Sequence, residues 1–447
     1  MLRSPFLPLL LVLAGCASHR RAPANAPAPR YVLLLAPLHA KSPEAQAEAQ
    51  RQQEQVAATF ALVAEGMPVT LVQRAAAAPA SEAEAAALAR AQGVDATLWG
   101  EVGVTEGKLT VHLRSTLARG DDLGSWIPAT YAPQDEAAAA ARERDSIIFA
   151  QSTLYGVNLW LMLRDQPREA AQLLSQYRVL RAGDFVDWNP DLISRRWGML
   201  GRLERDGVAA EKAYRRALED IAEVHRRHPE TSPPVNKEAF YKVGLARAFL
   251  LQGRAQEAVS LLQAVLAQPP TVYDGEVRRI LGRALLAVGD APAAAQVLEP
   301  VRSAKDPDTV ALRLYVATGQ PRFERKDASD FERLLLGIVW GDAARLAALV
   351  QERPAGEWPV PLARQLQERR VDERALEAAA HAADPVIARA HRCELHYLLG
   401  EAALAGLVTG KRDPEAARRH FEAALATRAF ANDGYELADA ALEQLRR

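Results

Sequence analysis

The residues of this chain that could do chemistry are few and scattered. It holds 2 cysteines and 9 histidines. His391, Cys393 and His396 lie close together, as metal ligands would. On a helix only positions three or four apart share a face, so Cys393 and His396 can pair and His391 cannot join them. Two ligands do not complete a zinc site, and core and surface roles are expected instead. His225 and His228 are one turn apart, but Arg226 and Arg227 stand between them, which describes a solvated helix end. Gly406 with Gly410-Lys411 is one residue short of a phosphate-binding loop, and Arg412 stands where that loop needs a hydroxyl. No zinc-protease helix, nucleophile elbow or paired-cysteine motif occurs. The expectation is a protein that is not an enzyme, with no catalytic residue, no metal site and no cofactor.

Cys16 is different, because its neighbours give it a context. Met1-Leu2-Arg3 makes a positive start. An apolar run follows from Phe6 to Ala14, interrupted by Pro8. That run is too short to span a bilayer, which takes about 20 apolar residues, and it fits a secretion signal. Leu13-Ala14-Gly15-Cys16 resembles the lipobox of bacterial lipoproteins. The resemblance implies a thioether lipid on Cys16, cleavage before it and acylation of the new amine. Ala17, where Asp would mark inner-membrane retention, implies an outer-membrane lipid anchor, facing the periplasm. More than one acyl chain makes such an anchor stable.

Residues 17–29 are rich in Ala and Pro. They read as an extended tether of roughly 40 Å if fully polyproline-like. Residues 1–15 are thus expected to be a signal peptide and 16–29 a lipid-anchored tether. The balance of 55 basic and 56 acidic side chains excludes the basic surface that nucleic acid requires. It also argues against broad electrostatic binding to membranes. Beyond the start, no second apolar stretch of membrane length is expected. With Cys16 lipidated, Cys393 has no partner, so no disulfide framework forms. Stability must come from helix packing.

The elements that would position a site fall into two kinds. Residues 30–135 read as a small α/β domain. Tyr31–Leu35, Val69–Val72 and Ala96–Val102 are expected strands, and Leu109–Leu113 alternates as a hairpin strand after a turn at Glu106-Gly107. Helices are expected from Ser42 to about Glu65 and from Ser81 to Gln92. The second opens on the capping box Ser81-Glu82-Ala83-Glu84 and ends at Gly93. The phrase Ala89–Val102 followed by Lys108–Leu113 resembles the α/β domain of TolB-type and CsgG-type envelope proteins. That resemblance implies an assembly or interaction module.

From about Ala137 the pattern is helical and repetitive. Residues 239–272 place Leu245, Ala246, Phe249, Gly253, Ala258, Leu262, Val265 and Pro270 as tetratricopeptide (TPR) repeats place their signature residues. Residues 275–308 do the same with Leu281, Gly282, Leu285, Gly289, Ala294, Leu298 and Val301, 36 positions on. Weaker units carry Asp165, Ala170 and Leu174, then Gly198, Ala210, Tyr214 and Ala217, before a break at Pro229–Pro234. One such unit cannot bury its apolar face alone, so units stack. TPR-like repeats are expected over 136–308 and further helical repeats over 309–447. The stretch Phe331–Leu445 resembles outer-membrane TPR lipoproteins of the NlpI type, which are adaptors for peptidoglycan hydrolases and a periplasmic protease. The fold class expected is α+β overall, a small α/β domain followed by an all-α solenoid.

In TPR proteins the first helix of each repeat lines the concave face. By that resemblance the partner-binding positions are Phe240, Val243, Arg247 and Leu250 in one repeat. In the next they are Glu276, Arg279, Arg283 and Leu286. Arg247 and Arg283 are equivalent, so they should stack and could grip a carboxylate with paired hydrogen bonds. The function expected is a membrane-anchored periplasmic adaptor that binds proteins or peptides through these grooves. A structural or pilotin-like part of an export, pilus or outer-membrane assembly machine is the competing reading, and an enzyme with an unrecognised site a further one.

Overall fold

The computed structural model describes residues 31–65, 67–73, 77–105, 108–118, 122–126, 137–176, 190–227, 235–302, 308–319 and 328–446. Cys16, the tether, the Glu106-Gly107 turn, His228 and the Pro229–Pro234 break lie outside them. What is described is α+β: a small sheet near the N-terminus and a long stack of helices.

The sheet comprises β1 (Tyr31–Leu35), β2 (His39–Ala40), β3 (Val69–Gln73), β4 (Ala96–Thr105), β5 (Lys108–Leu117) and β6 (Asp122–Trp126). Its order is β3-β1-β4-β5-β6, with β2 also paired to β4. β1 runs parallel to both β3 and β4. The Leu33, Leu34 and Leu35 side chains are fully buried, as a strand between two parallel neighbours requires. β4, β5 and β6 are antiparallel neighbours. β2 and β6 are additions to the expected strands. β2 is two residues long, and β6 contains Asp122 and Gly124, so neither has the alternating apolar pattern that marks a strand.

Two helices cover the sheet. α1 (Pro43–Val63) starts where the Ser42 side chain accepts from the Ala45 amide. α2 (Glu82–Gln92) starts where Ser81 accepts from Glu84, and Glu84 in turn accepts from the Ala80 amide. Gly93, at φ 63°, ends it in the left-handed region.

Sixteen further helices follow among the described residues. They are α3 (Ala137–Leu163), α4 (Pro167–Gln176), α5 (Pro190–Leu203), α6 (Gly207–Arg227), α7 (Val235–Leu251), α8 (Ala255–Leu266), α9 (Asp274–Val288) and α10 (Ala291–Arg302). Then come α11 (Thr309–Ala317), α12 (Asp330–Trp340), α13 (Ala343–Glu352), α14 (Val360–Gln367) and α15 (Glu373–Ala379). The last are α16 (Pro385–Ala405), α17 (Pro414–Ala426) and α18 (Asp433–Leu445). Chain neighbours pack as hairpins, and the hairpins stack. Gly253 and Gly289 turn the chain between partners at φ 75° and 89°. One hydrophobic core runs from Ala210 to Leu442 without interruption.

α3 corrects the expectation that no further apolar stretch reaches membrane length. Its Ser146–Leu163 segment is long and apolar enough to cross a bilayer, and 72% of it is buried inside the molecule. The burial explains the composition. Phe149, Leu154, Val157 and Leu161 share one core with Val56 and Phe60 of α1, Leu98 of β4 and Leu200 of α5. The sheet and the first repeat helices therefore have a common interior. The far end of the chain returns to this region. Arg389 on α16 donates to the Leu163 and Arg164 carbonyls at the end of α3, at 2.6 and 3.1 Å.

Candidate functional site

The arginines of the two strong repeats converge on one helix, and that helix belongs to the chain itself. α18 packs against α9 and α11, and its acidic side chains also reach Arg247 of α7. It turns three carboxylates, Glu436, Asp439 and Glu443, towards the arginines, at spacings of three and four that share one helical stripe. Arg247 on α7 donates to Glu276 at 2.7 Å and to Glu436 at 3.1 Å. Arg279 on α9 reaches Asp308 at 2.7 Å, with Glu276 and Glu436 each at 3.6 Å. Arg283, one turn further along α9, places Nε and Nη2 on the two oxygens of Glu443, at 3.1 and 2.6 Å. The same Nη2 lies 2.6 Å from Asp439. Arg205, after α5, holds the other Asp439 oxygen at 2.7 Å.

Local sequence explains why α18 sits this way. Asn432 caps it by accepting from the Gly434 amide. Tyr435, Leu437, Ala438, Ala441 and Leu442 are buried, and the helix packs against α16 and α17. The acidic stripe is what remains to face the arginines.

Electrostatics follow from burial and proximity. Burial alone would raise the Glu436 carboxyl, but Arg247, Arg279 and Arg283 override it and hold the group far below its ordinary range. Asp439 is likewise held low: Arg283 and Arg205 outweigh the effect of burial. Arg283 is 5% exposed; burial disfavours its charge, yet Glu443 and Asp439 keep it firmly protonated.

The eight expected groove residues thus divide. Arg247, Glu276, Arg279 and Arg283 come together in one ionic network, with α18 as its other side. Val243, Leu250 and Leu286 are buried in the hydrophobic core and are not presented to solvent. Phe240 packs against Tyr273 at 5.1 Å, with the Arg195 guanidinium 4.2 Å above its ring. Arg247 and Arg283 occupy equivalent positions but engage different carboxylates, seven residues apart. A cavity of about 270 Å³ remains beside the start of α18, lined by Arg202, Phe240, Arg247, Arg279, Phe430 and Asn432 among others.

Sequence reasoning missed α18 as the occupant of this groove. The available signal was the spacing of Glu436, Asp439 and Glu443 on one stripe. An acidic stripe on a final helix reads first as a solvated face, and nothing local says otherwise.

The remaining candidates are dispersed. Cys393 is fully buried, and burial pushes its thiol up to about 12. His396 reaches Glu377 at 2.9 Å and stacks on His420, while His391 stacks on Trp358. Among the described residues no group of three or more His, Cys, Asp or Glu side chains could hold a metal ion. Gly406 ends α16, and Gly406–Asp413 joins two helices, so no strand feeds that loop.

Comparison with known families agrees with the repeat geometry. The tetratricopeptide repeat family matches residues 249–317, from the end of α7 to the end of α11. No curated protein and no solved structure matches the chain. The match is confined to this region, whose helix pairs are similar to tetratricopeptide repeats, and stacked repeats of this kind present extended binding surfaces.

Proposed function

We propose that this protein is a lipid-anchored adaptor of the outer membrane, facing the periplasm, whose helical repeats recruit envelope proteins. The observation that carries the reading is the TPR stack over 249–317, whose arginines are arranged to grip carboxylates. The anchoring part is supported by Leu13-Ala14-Gly15-Cys16 and the Pro-rich stretch after it. On this reading Cys16 fixes one end of the chain, the tether clears the lipid surface, and the sheet and repeats form the platform. Cys16 carries the lipid, and Phe240, Arg247, Glu276 and Arg279, which line the cavity beside α18, offer the partner surface, whereas Arg283 is covered by α18.

Two measurements test the two parts separately. Radiolabelled palmitate should enter the protein and be lost in Cys16→Ala. Unlabelled or mainly soluble mature protein would defeat the anchor. Crosslinking in intact cells followed by mass spectrometry should recover discrete envelope proteins, and recovery of none would defeat the adaptor.

A further inference from the structure

We propose that the groove formed by α7 and α9 is a receptor for an acidic amphipathic helix, and that α18 occupies it as the chain's own copy of that ligand. A partner helix carrying carboxylates at positions i, i+3 and i+7 would then compete with α18 for the same arginines. The inference rests on the adaptor reading only in supposing that the ligand is a protein segment.

The carrying observation is a match between two periodicities. Arg247 and Arg283 are equivalent residues of successive repeats, 36 positions apart. Their carboxylates, Glu436 and Glu443, are seven apart on one helix. Neighbouring packed helices lie about 8–10 Å apart, and seven residues of helix rise about 10.5 Å. A helix laid across the repeats therefore meets equivalent arginines every second turn. Asp439, between the two, is held by Arg283 and Arg205 from opposite sides. The repeats read the helix through a fork geometry that lysine could not supply. The cavity beside the start of α18, bordered by Arg202, Arg279 and Phe240, leaves room for a longer ligand to extend past Asn432.

Stripping Arg283 and its carboxylates of water is costly, but an incoming acidic helix remakes the same ion pairs, and it must be amphipathic because it also has to replace the core contacts of Leu437, Ala438, Ala441 and Leu442. α18 is favoured in addition by its attachment to α17 through the short Thr427–Asn432 connection, which acts as an effective concentration on the order of mM. Free ligand must overcome that advantage. Substituting Arg247 and Arg283 would remove the receptor and loosen α18 together, so the discriminating changes belong on α18.

The probe is a fluorescein-labelled synthetic peptide spanning Asn432–Arg446, titrated into the full chain. The variant chain carries Glu436→Gln, Asp439→Asn and Glu443→Gln. It should bind the peptide at least about tenfold more tightly than the unaltered chain, since its own helix no longer competes. A peptide with the same three amides should bind neither. Equal affinity for the acidic and amide peptides, or no saturable binding to a variant of unchanged helicity, would overturn the proposal. Should the variant unfold, hydrogen exchange on the unaltered chain decides. Saturating acidic peptide should speed exchange of the Glu436–Leu445 amides by at least about tenfold while α7 and α9 stay protected; unchanged exchange in α18 would overturn it. Partners recovered in cells while the peptide fails would spare the adaptor and remove this groove. A peptide that binds while no partner is recovered would do the reverse.

Discussion

Arg283 of α9 and Asp439 of α18 stand 156 positions apart in the chain and 2.6 Å apart in space. With Glu443 on the other side of the same guanidinium, they form an ionic centre closed off by helices on both sides. Removing one partner from such a centre leaves the others buried and unpaired, which costs about 3–5 kcal/mol. Arg283→Ala should therefore lower the urea midpoint sharply. Arg283→Lys should recover only part of the loss, because an ammonium cannot span both Glu443 oxygens and Asp439. Replacing all three together by Met or Leu should restore part of the stability, since apolar packing removes their desolvation cost while the partly exposed Arg205 loses its partner Asp439. Unfolding curves of the three variants, compared at one pH, check the ordering.

The same network sets the response to acid. Glu436 and Asp439 are held below their ordinary values by the surrounding arginines. A carboxylate depressed in the folded state contributes stability that is present above its unfolded pKa, about 4, and lost as pH falls through the folded value. Burial raises Asp433 to about 6 and raises Glu443 as well, so these two act in the opposite sense and gain stability as pH falls through their folded values; the loss from Glu436 and Asp439 should dominate below about pH 4. Glu436→Gln with Asp439→Asn should flatten the acid limb while lowering stability at neutral pH. Circular dichroism during pH titration reads both effects; an acid limb of unchanged steepness would contradict them.

The repeats were legible because their physics is local. Gly253 and Gly289 had to be turns, and Ala246, Ala258 and Ala294 had to be contacts between helices, wherever the stack lay in space. The strands at Tyr31 and Ala96 were legible for the same reason, as were the caps at Ser42 and Ser81. What did not show was anything set by distant partners. β6 exists because β5 offers it an edge. α3 is apolar because α1, β4 and α5 surround it, and its composition alone cannot distinguish that from lipid. Glu436, Asp439 and Glu443 look like a solvated stripe until Arg247 and Arg283 are placed opposite. The candidate groove was therefore readable on one side only.

A second buried ionic group lies under α16. The Tyr397 hydroxyl donates to Glu401 at 2.7 Å, and Arg313 of α11 holds both Glu401 oxygens at 3.0 Å. Tyr397→Phe removes one hydrogen bond to a charged acceptor that keeps its cation, so the expected loss is about 1.5–3 kcal/mol. Glu401→Ala strands the arginine and should cost more, about 3–5 kcal/mol. Chemical denaturation of the two variants tests the order, and a Tyr397→Phe loss as large as that of Glu401→Ala would contradict it.

Tyr214 of α6 lies between two glycines, and that sandwich sets how closely three helices approach. A Cβ added to Gly198 of α5 would come within 2.7 Å of the Tyr214 ring, and one added to Gly244 of α7 within 2.4 Å. The ring is 1% exposed, held between the two glycines, and borders the cavity of about 270 Å³ beside α18. Gly244→Ala must therefore displace the ring towards the cavity or push α7 away from α6, and overpacking of this kind costs typically about 1–3 kcal/mol. The gain in helix propensity from Gly to Ala, up to about 1 kcal/mol, offsets part of it. The net effect should be a modest destabilisation that disappears when Tyr214→Leu is added, because the smaller side chain vacates the space the new methyl needs. Since Arg247 stands one turn beyond Gly244, the single variant should also shift that guanidinium relative to Glu436 and weaken protection of α18 against hydrogen exchange. A Gly244→Ala protein with unchanged or higher stability, and unchanged α18 protection, would mean that α6 and α7 have slack the close packing does not show.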